Sequence, residues 1–93
     1  MNCLKVGGVY TVKQVGYHRI IPALFPDGNT YYPFKKEGYM FLIPGFVYSI
    51  TIKDISNDSE AFISVQKYDL LMENVLDSYV AYVKKDNLLF LIG

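Results

Sequence analysis

Two stretches gather the side chains whose types could do chemistry. Tyr17, His18 and Arg19 place a phenol, an imidazole and a guanidinium side by side. Residues 30–41 interleave Tyr31, Tyr32, Phe34, Tyr39 and Phe41 with Lys35 and Lys36. Aromatic faces stack on planar rings and lysine neutralises phosphate, so this set suits a nucleotide-like ligand or a single strand of nucleic acid. The same residue types are also the usual anchors of protein–protein contacts. The candidate ligand-binding residues are therefore Tyr17, His18, Arg19, Tyr31, Tyr32, Phe34, Lys35, Lys36 and Tyr39.

The chemistry that needs other residue sets finds little here. His18 is the one histidine and Cys3 the one cysteine, which leaves no ligand set for zinc and no partner for a disulfide. No Gly-x-Ser-x-Gly elbow offers a strained serine nucleophile. Gly7-Gly8 lacks both the Gly-x-Gly-x-x-Gly spacing and the Walker pattern and reads as a bend. Carboxylates occur throughout, so no acidic pair stands out as a glycosidase-type dyad. The expectation is a protein with no catalytic residues, no metal and no cofactor, and not an enzyme.

The chain has 93 residues, of which 52% are hydrophobic and 19% charged, a balance that folds rather than staying disordered. The expected organisation is a single domain over 1–93, with a core modest enough that association with further copies would add to it. The nine Tyr, six Phe and no Trp suit half-buried strands. No stretch reaches the length of a membrane span, the first residues lack the apolar core of a signal peptide, and the single cysteine fits a reducing compartment; a cytoplasmic protein is expected.

Charge is zero overall but unevenly laid out. Residues 1–53 hold Lys5, Lys13, Arg19, Lys35, Lys36 and Lys53 against Asp27 and Glu37, a net +4. Residues 54–93 hold Lys67, Lys84 and Lys85 against Asp54, Asp58, Glu60, Asp69, Glu73, Asp77 and Asp86, a net −4. If the halves segregate in space, the basic half can meet an anion and the acidic half a basic partner or a second copy.

The elements that must position these residues read mostly as strands. Tyr10 and Val12 alternate with Thr11 and Lys13 after the Gly pair, and residues 17–21 resume a β pattern that Pro22 should end. Residues 26–29, Pro-Asp-Gly-Asn, are turn chemistry, and residues 30–34 should return as a short strand before the exposed 35–38. Tyr39 to Ile43 is apolar on both faces. Pro44-Gly45 suits a type II turn, beyond which Phe46, Tyr48, Ile50 and Ile52 alternate with Val47, Ser49, Thr51 and Lys53. After a turn at 56–59, Ala61, Ile63 and Val65 alternate with Phe62, Ser64 and Gln66. A hairpin or three-stranded meander over 39–67 follows.

From Asp69 the rhythm changes toward 3.5, which predicts an amphipathic helix over about 69–86, capped by Asp69, with Lys84 and Lys85 at the negative end of its dipole. The alternative stops near Asp77 and makes 78–84 and 88–92 a hairpin. Residues 88–92 are expected to form a final strand. The fold class is thus α+β and mainly β: a small, strongly bent antiparallel sheet or partly open SH3-like or OB-like barrel, with one C-terminal helix and a last strand.

Three functions suit this description. The first is a binding or inhibitory module that grips a protein partner through its Tyr, Phe and Lys surface. The second is a small-molecule binder that captures a nucleotide-like ligand at an oligomer interface. The third is a barrel for single-stranded nucleic acid, against which zero net charge argues. The two-sided strand at 39–43 and the apolar C-terminal run point to a homo-oligomer.

Overall fold

The computed structural model describes residues 4–26, 35–55 and 59–92. These form β1 (Val9–Lys13), β2 (Arg19–Pro26), β3 (Lys35–Leu42), β4 (Val47–Asp54), β5 (Glu60–Tyr68), β6 (Val75–Lys84) and a C-terminal helix α1 (Lys85–Ile92). The strands make one antiparallel sheet in the order β1-β4-β5-β6-β2-β3, open at β1 and β3. Mainly β with one C-terminal helix is what the composition and alternation lead one to expect.

The centre of the sheet follows from period-two patterning. Tyr48, Ile50 and Ile52 of β4 are buried, as are Ala61, Ile63 and Val65 of β5 and Ala81 and Val83 of β6. Register places Ile50 beside Val65 and Ile52 beside Ile63, and Ile63 beside Ala81. A slip of one residue would turn this whole set to water, so burial fixes the register. Ile21 and Ala23 of β2 and Met40 and Leu42 of β3 complete the same core, with Leu88 and Leu91 of α1 packed over it.

Several sequence expectations need correction. The meander does not include Tyr39 to Leu42: β4 and β5 do form a hairpin, but among the described residues β3 pairs with β2 alone, at the far edge of the sheet. Pro22 does not end its strand. β2 continues to Pro26, and its ladder to β6 is the one pair Leu24–Tyr82, so Pro22 sits where a missing donor breaks no second ladder. The strand read at 30–34 lies outside the described residues, as do the turn read at 26–29 apart from Pro26 and the turn read at 56–59 apart from Ser59.

The helix expected over 69–86 is the largest error. Residues 75–84 are strand β6, and the helix is 85–92, where a last strand was expected. Tyr79, Ala81 and Val83 turn inward while Val80 and Tyr82 turn to the other face, with β5 supplying the ladder. Asp69 does cap, but it caps a turn: its Oδ1 accepts the Glu73 N–H at 2.8 Å and its Oδ2 accepts Asn74 Nδ2 at 2.9 Å. Met72 then takes φ 56°, a left-handed conformation that no α-helix continues through. Further along, Leu88 and Leu91 lie three residues apart on one face of α1, a spacing that buries both on a single short helix. Its first N–H, from Lys85, donates to the Ser59 carbonyl at 2.9 Å.

The β3–β4 link is tied to the end of β1 by backbone bonds. Gly45, at φ 93° in the expected turn, donates its N–H to the Gln14 carbonyl, and the Gln14 N–H donates to the Phe46 carbonyl, both at 3.1 Å. Gln14 is itself buried and donates from Nε2 to the Tyr17 carbonyl at 2.7 Å. The Ile43 N–H donates to the buried Tyr48 hydroxyl at 2.8 Å. These bonds hold the end of β3 near β4 and the end of β1, although β3 and β1 are the opposite edges of the sheet.

Candidate binding surface

Alternation along β2 and β3 decides what faces water. With Ile21 and Met40 turned inward as a pair, their neighbours Ile20 and Phe41 face outward as a pair, and so do Pro22 and Tyr39. Ile20, Tyr39 and Phe41 are each at least half exposed. Cross-strand neighbours on one face lie close enough for large side chains to touch, so these four make a continuous apolar stripe. At one end of it stand Tyr17, 71% exposed, and Phe90 of α1, 82% exposed. The Arg19 guanidinium lies 6.0 Å from the centre of the Phe90 ring, at the outer limit of a cation–π contact.

Two concavities flank the stripe. One, of about 390 Å³, is lined by Tyr17, His18, Arg19, Ile20, Pro22, Asn87 and Phe90. The other, of about 520 Å³, is lined by Pro22, Leu24, Glu37, Tyr39, Glu60, Tyr82, Lys84 and Asn87. They share Pro22 and Asn87 and so adjoin. A smaller hollow of about 270 Å³ brings Phe25, Tyr39, Phe41, Ile43, Tyr48, Lys67, Asp77 and Tyr79 together. Burial is the main cause holding the Tyr79 hydroxyl far above its ordinary pKa, with Tyr48 and Asp77 adding to it. Burial also raises the Tyr48 hydroxyl, partly offset by the Ile43 N–H it accepts.

Of the expected site residues, Tyr17, His18 and Arg19 share one concavity and Tyr39 lines the next. Lys35 is otherwise engaged. Its ammonium sits 3.2 Å from Glu60 Oε1 and 4.0 Å from the centre of the Tyr82 ring, and it lines neither concavity. Lys36 is exposed on β3 beside Phe25 in register. Tyr31, Tyr32 and Phe34 lie outside the described residues. The sequence reading missed Ile20, Pro22, Asn87 and Phe90 as parts of this surface, and named Phe41 in its aromatic stretch without counting it among the candidates. Phe41 carried a usable signal, because a strand apolar on both faces must show one of them. Phe90 did not, since its approach to Arg19 depends on where α1 lands.

Among the described residues no three His, Cys, Asp or Glu side chains gather in a way that could hold a metal ion. No helix among them is long and apolar enough to cross a membrane. No family model matches the chain, and no curated protein or solved structure matches it either.

Proposed function

We propose that the chain is a non-catalytic binding module, inhibitory or recruiting, that grips a protein partner through the outer face of the β2–β3 hairpin. The carrying observation is the contiguous stripe of Ile20, Pro22, Tyr39 and Phe41, fixed by cross-strand register and exposed to water. Large aromatic and aliphatic side chains on a rigid sheet lose little conformational entropy on binding, which is why such residues anchor interfaces. The coiled sheet beneath them reads as a partly open small barrel of SH3-like or OB-like kind, a scaffold that carries many functions.

A second reading, a nucleotide-like ligand, draws on the hollow of about 520 Å³ between Tyr39 and Tyr82, with Lys84 at its rim. It is the weaker one. Glu37 and Glu60 line the same hollow; Lys35 and Glu60 neutralise each other, which among the described residues leaves Glu37 against Lys84 and no net positive charge to draw a phosphate.

The test is a photo-crosslinking amino acid at position 41, with the protein expressed in its own host. A discrete crosslinked protein band, lost when Tyr39→Asp is added, is the expected result. No crosslink, together with a nucleotide retained in native mass spectrometry, would replace this reading with the second.

A further inference from the structure

The turn between β5 and β6 is built the wrong way round for a loop in water. Leu70, Leu71, Met72, Val75 and Leu76 are all exposed, Leu71 to 76%. Polar residues are the rule at such tips, and a contiguous apolar cluster marks a contact. The tip is also held in shape. Asp69 accepts from Met72 through its carbonyl at 3.0 Å and from Glu73 and Asn74 through its carboxylate, and Met72 is fixed in the left-handed region although it carries a Cβ. The charges on and beside it are Asp69, Glu73 and Asp77, with Lys67 opposite Asp77 in register and over the Phe46 ring at 4.1 Å, so among these residues the acidic groups outnumber the basic.

We infer that this tip docks into the concavity beside Tyr17, Arg19 and Phe90 of a second copy of the chain, head to tail. Charge selects that occupant. The concavity is lined by Arg19 and His18 with apolar Ile20, Pro22 and Phe90, and no carboxylate among the described residues lines it. An acidic apolar knob thus meets a basic apolar hollow. The alternative symmetric contact, tip against tip, would set Asp69, Glu73 and Asp77 against their own copies, which like charges disfavour. The two surfaces cannot meet within one molecule. The tip precedes β6 and Asn87 and Phe90 follow its end, and a strand of 10 residues spans roughly 30 Å.

Joined head to tail, two copies share a single tip-to-hollow contact. It leaves one free tip and one free hollow on every dimer, so copies add until a ring closes or a chain grows. The contact goes beyond the partner reading above and does not depend on it.

The experiment is sedimentation velocity of the full chain over a concentration series, with Leu71→Asp and Phe90→Asp as variants. Both positions are exposed, and urea unfolding checks that each variant remains folded. The wild-type chain is expected to grow past dimer with concentration, and each variant alone is expected to lose every species heavier than monomer. An equal mixture of the two variants should then give a dimer and nothing larger, because the intact tip of one fills the intact hollow of the other. A monomeric wild-type chain, a mixture that stays monomeric, or an F90D variant that still assembles would each overturn the inference. The position-41 crosslink, read in the L71D variant, separates the two proposals: it persists if only the self-contact is wrong.

Discussion

Replacing Tyr48 with Phe takes away one oxygen and leaves the ring. That oxygen accepts the Ile43 N–H at 2.8 Å, and the Tyr48 side chain is 1% exposed, so water cannot readily substitute for it. Losing the bond removes about 1 kcal/mol of net stabilisation, and leaving the Ile43 N–H poorly satisfied adds a penalty of similar size, for a total of about 1–2 kcal/mol. For a domain of this size each kcal/mol lowers Tm by roughly 4–8 °C. The assay is urea unfolding followed by tyrosine fluorescence and circular dichroism, with Cm expected to fall and the m-value unchanged. Tyr79→Phe is the control, since among the described residues its hydroxyl makes no such bond, and its loss should stay within about 0.5 kcal/mol. If Tyr48→Phe proves as mild as Tyr79→Phe, the bond between the β3–β4 link and Tyr48 contributes nothing to stability.

Two further predictions concern pH. Tyr48 and Tyr79 both ionise less readily folded than unfolded, so their contribution is complete below the ordinary tyrosine value of 10.0 and is lost as pH rises above it. Stability measured from pH 9 upward should therefore fall beyond that point, and Tyr79→Phe should flatten the fall; an unchanged slope would count against buried phenols as its cause. At the acid side, Asn74 and the Glu73 N–H hold the Asp69 carboxyl below its usual 3.8, so the amide shift of Glu73 should titrate with a midpoint under that value. Asp69→Asn should abolish that step in an NMR titration.

What the sequence made legible is where one physical signal stood alone. In β4 and β5 the inward set Tyr48, Ile50, Ile52, Ala61, Ile63 and Val65 alternates, beyond the buried Val47, with polar or half-exposed neighbours, and period two is the single reading. In β6 two readings compete. Val75, Leu76, Tyr79, Val80 and Val83 lie on both faces, so the same residues fit a helix with Glu73, Asp77, Lys84 and Lys85 as its polar side. Asp69 offered no help, because an aspartate caps a helix and a tight turn with the same bonds. What decides for strand is the ladder to β5, which no local window contains.

The candidate surface divides along the same line. Tyr17, Arg19 and Tyr39 were singled out by type, and they do stand on or beside the exposed stripe. Lys35 was chosen for the same reason but is neutralised by Glu60, a residue far along the chain that comes close only because β2 and β3 pack beside β6. Phe90 joins Arg19 through the placement of α1 against the sheet. Local composition can nominate a side chain for binding, whereas its neighbours depend on strand order.

Strand order also sets a timetable for folding. β4, β5 and β6 are neighbours in both sequence and sheet, so each pairing closes a short loop and can form early. β1 has no such advantage: Lys13 must find Val47, and Gln14 must find Gly45 and Phe46 after β3 has been carried to the other edge. β1, although it precedes the other five strands in the chain, is thus among the last of them to be secured, and a substitution such as Val12→Ala should speed unfolding while leaving the folding rate nearly unchanged. A newly made chain exposes the β4 edge until then, and its vulnerable interval is governed by how quickly its own N-terminal strand arrives to cover it.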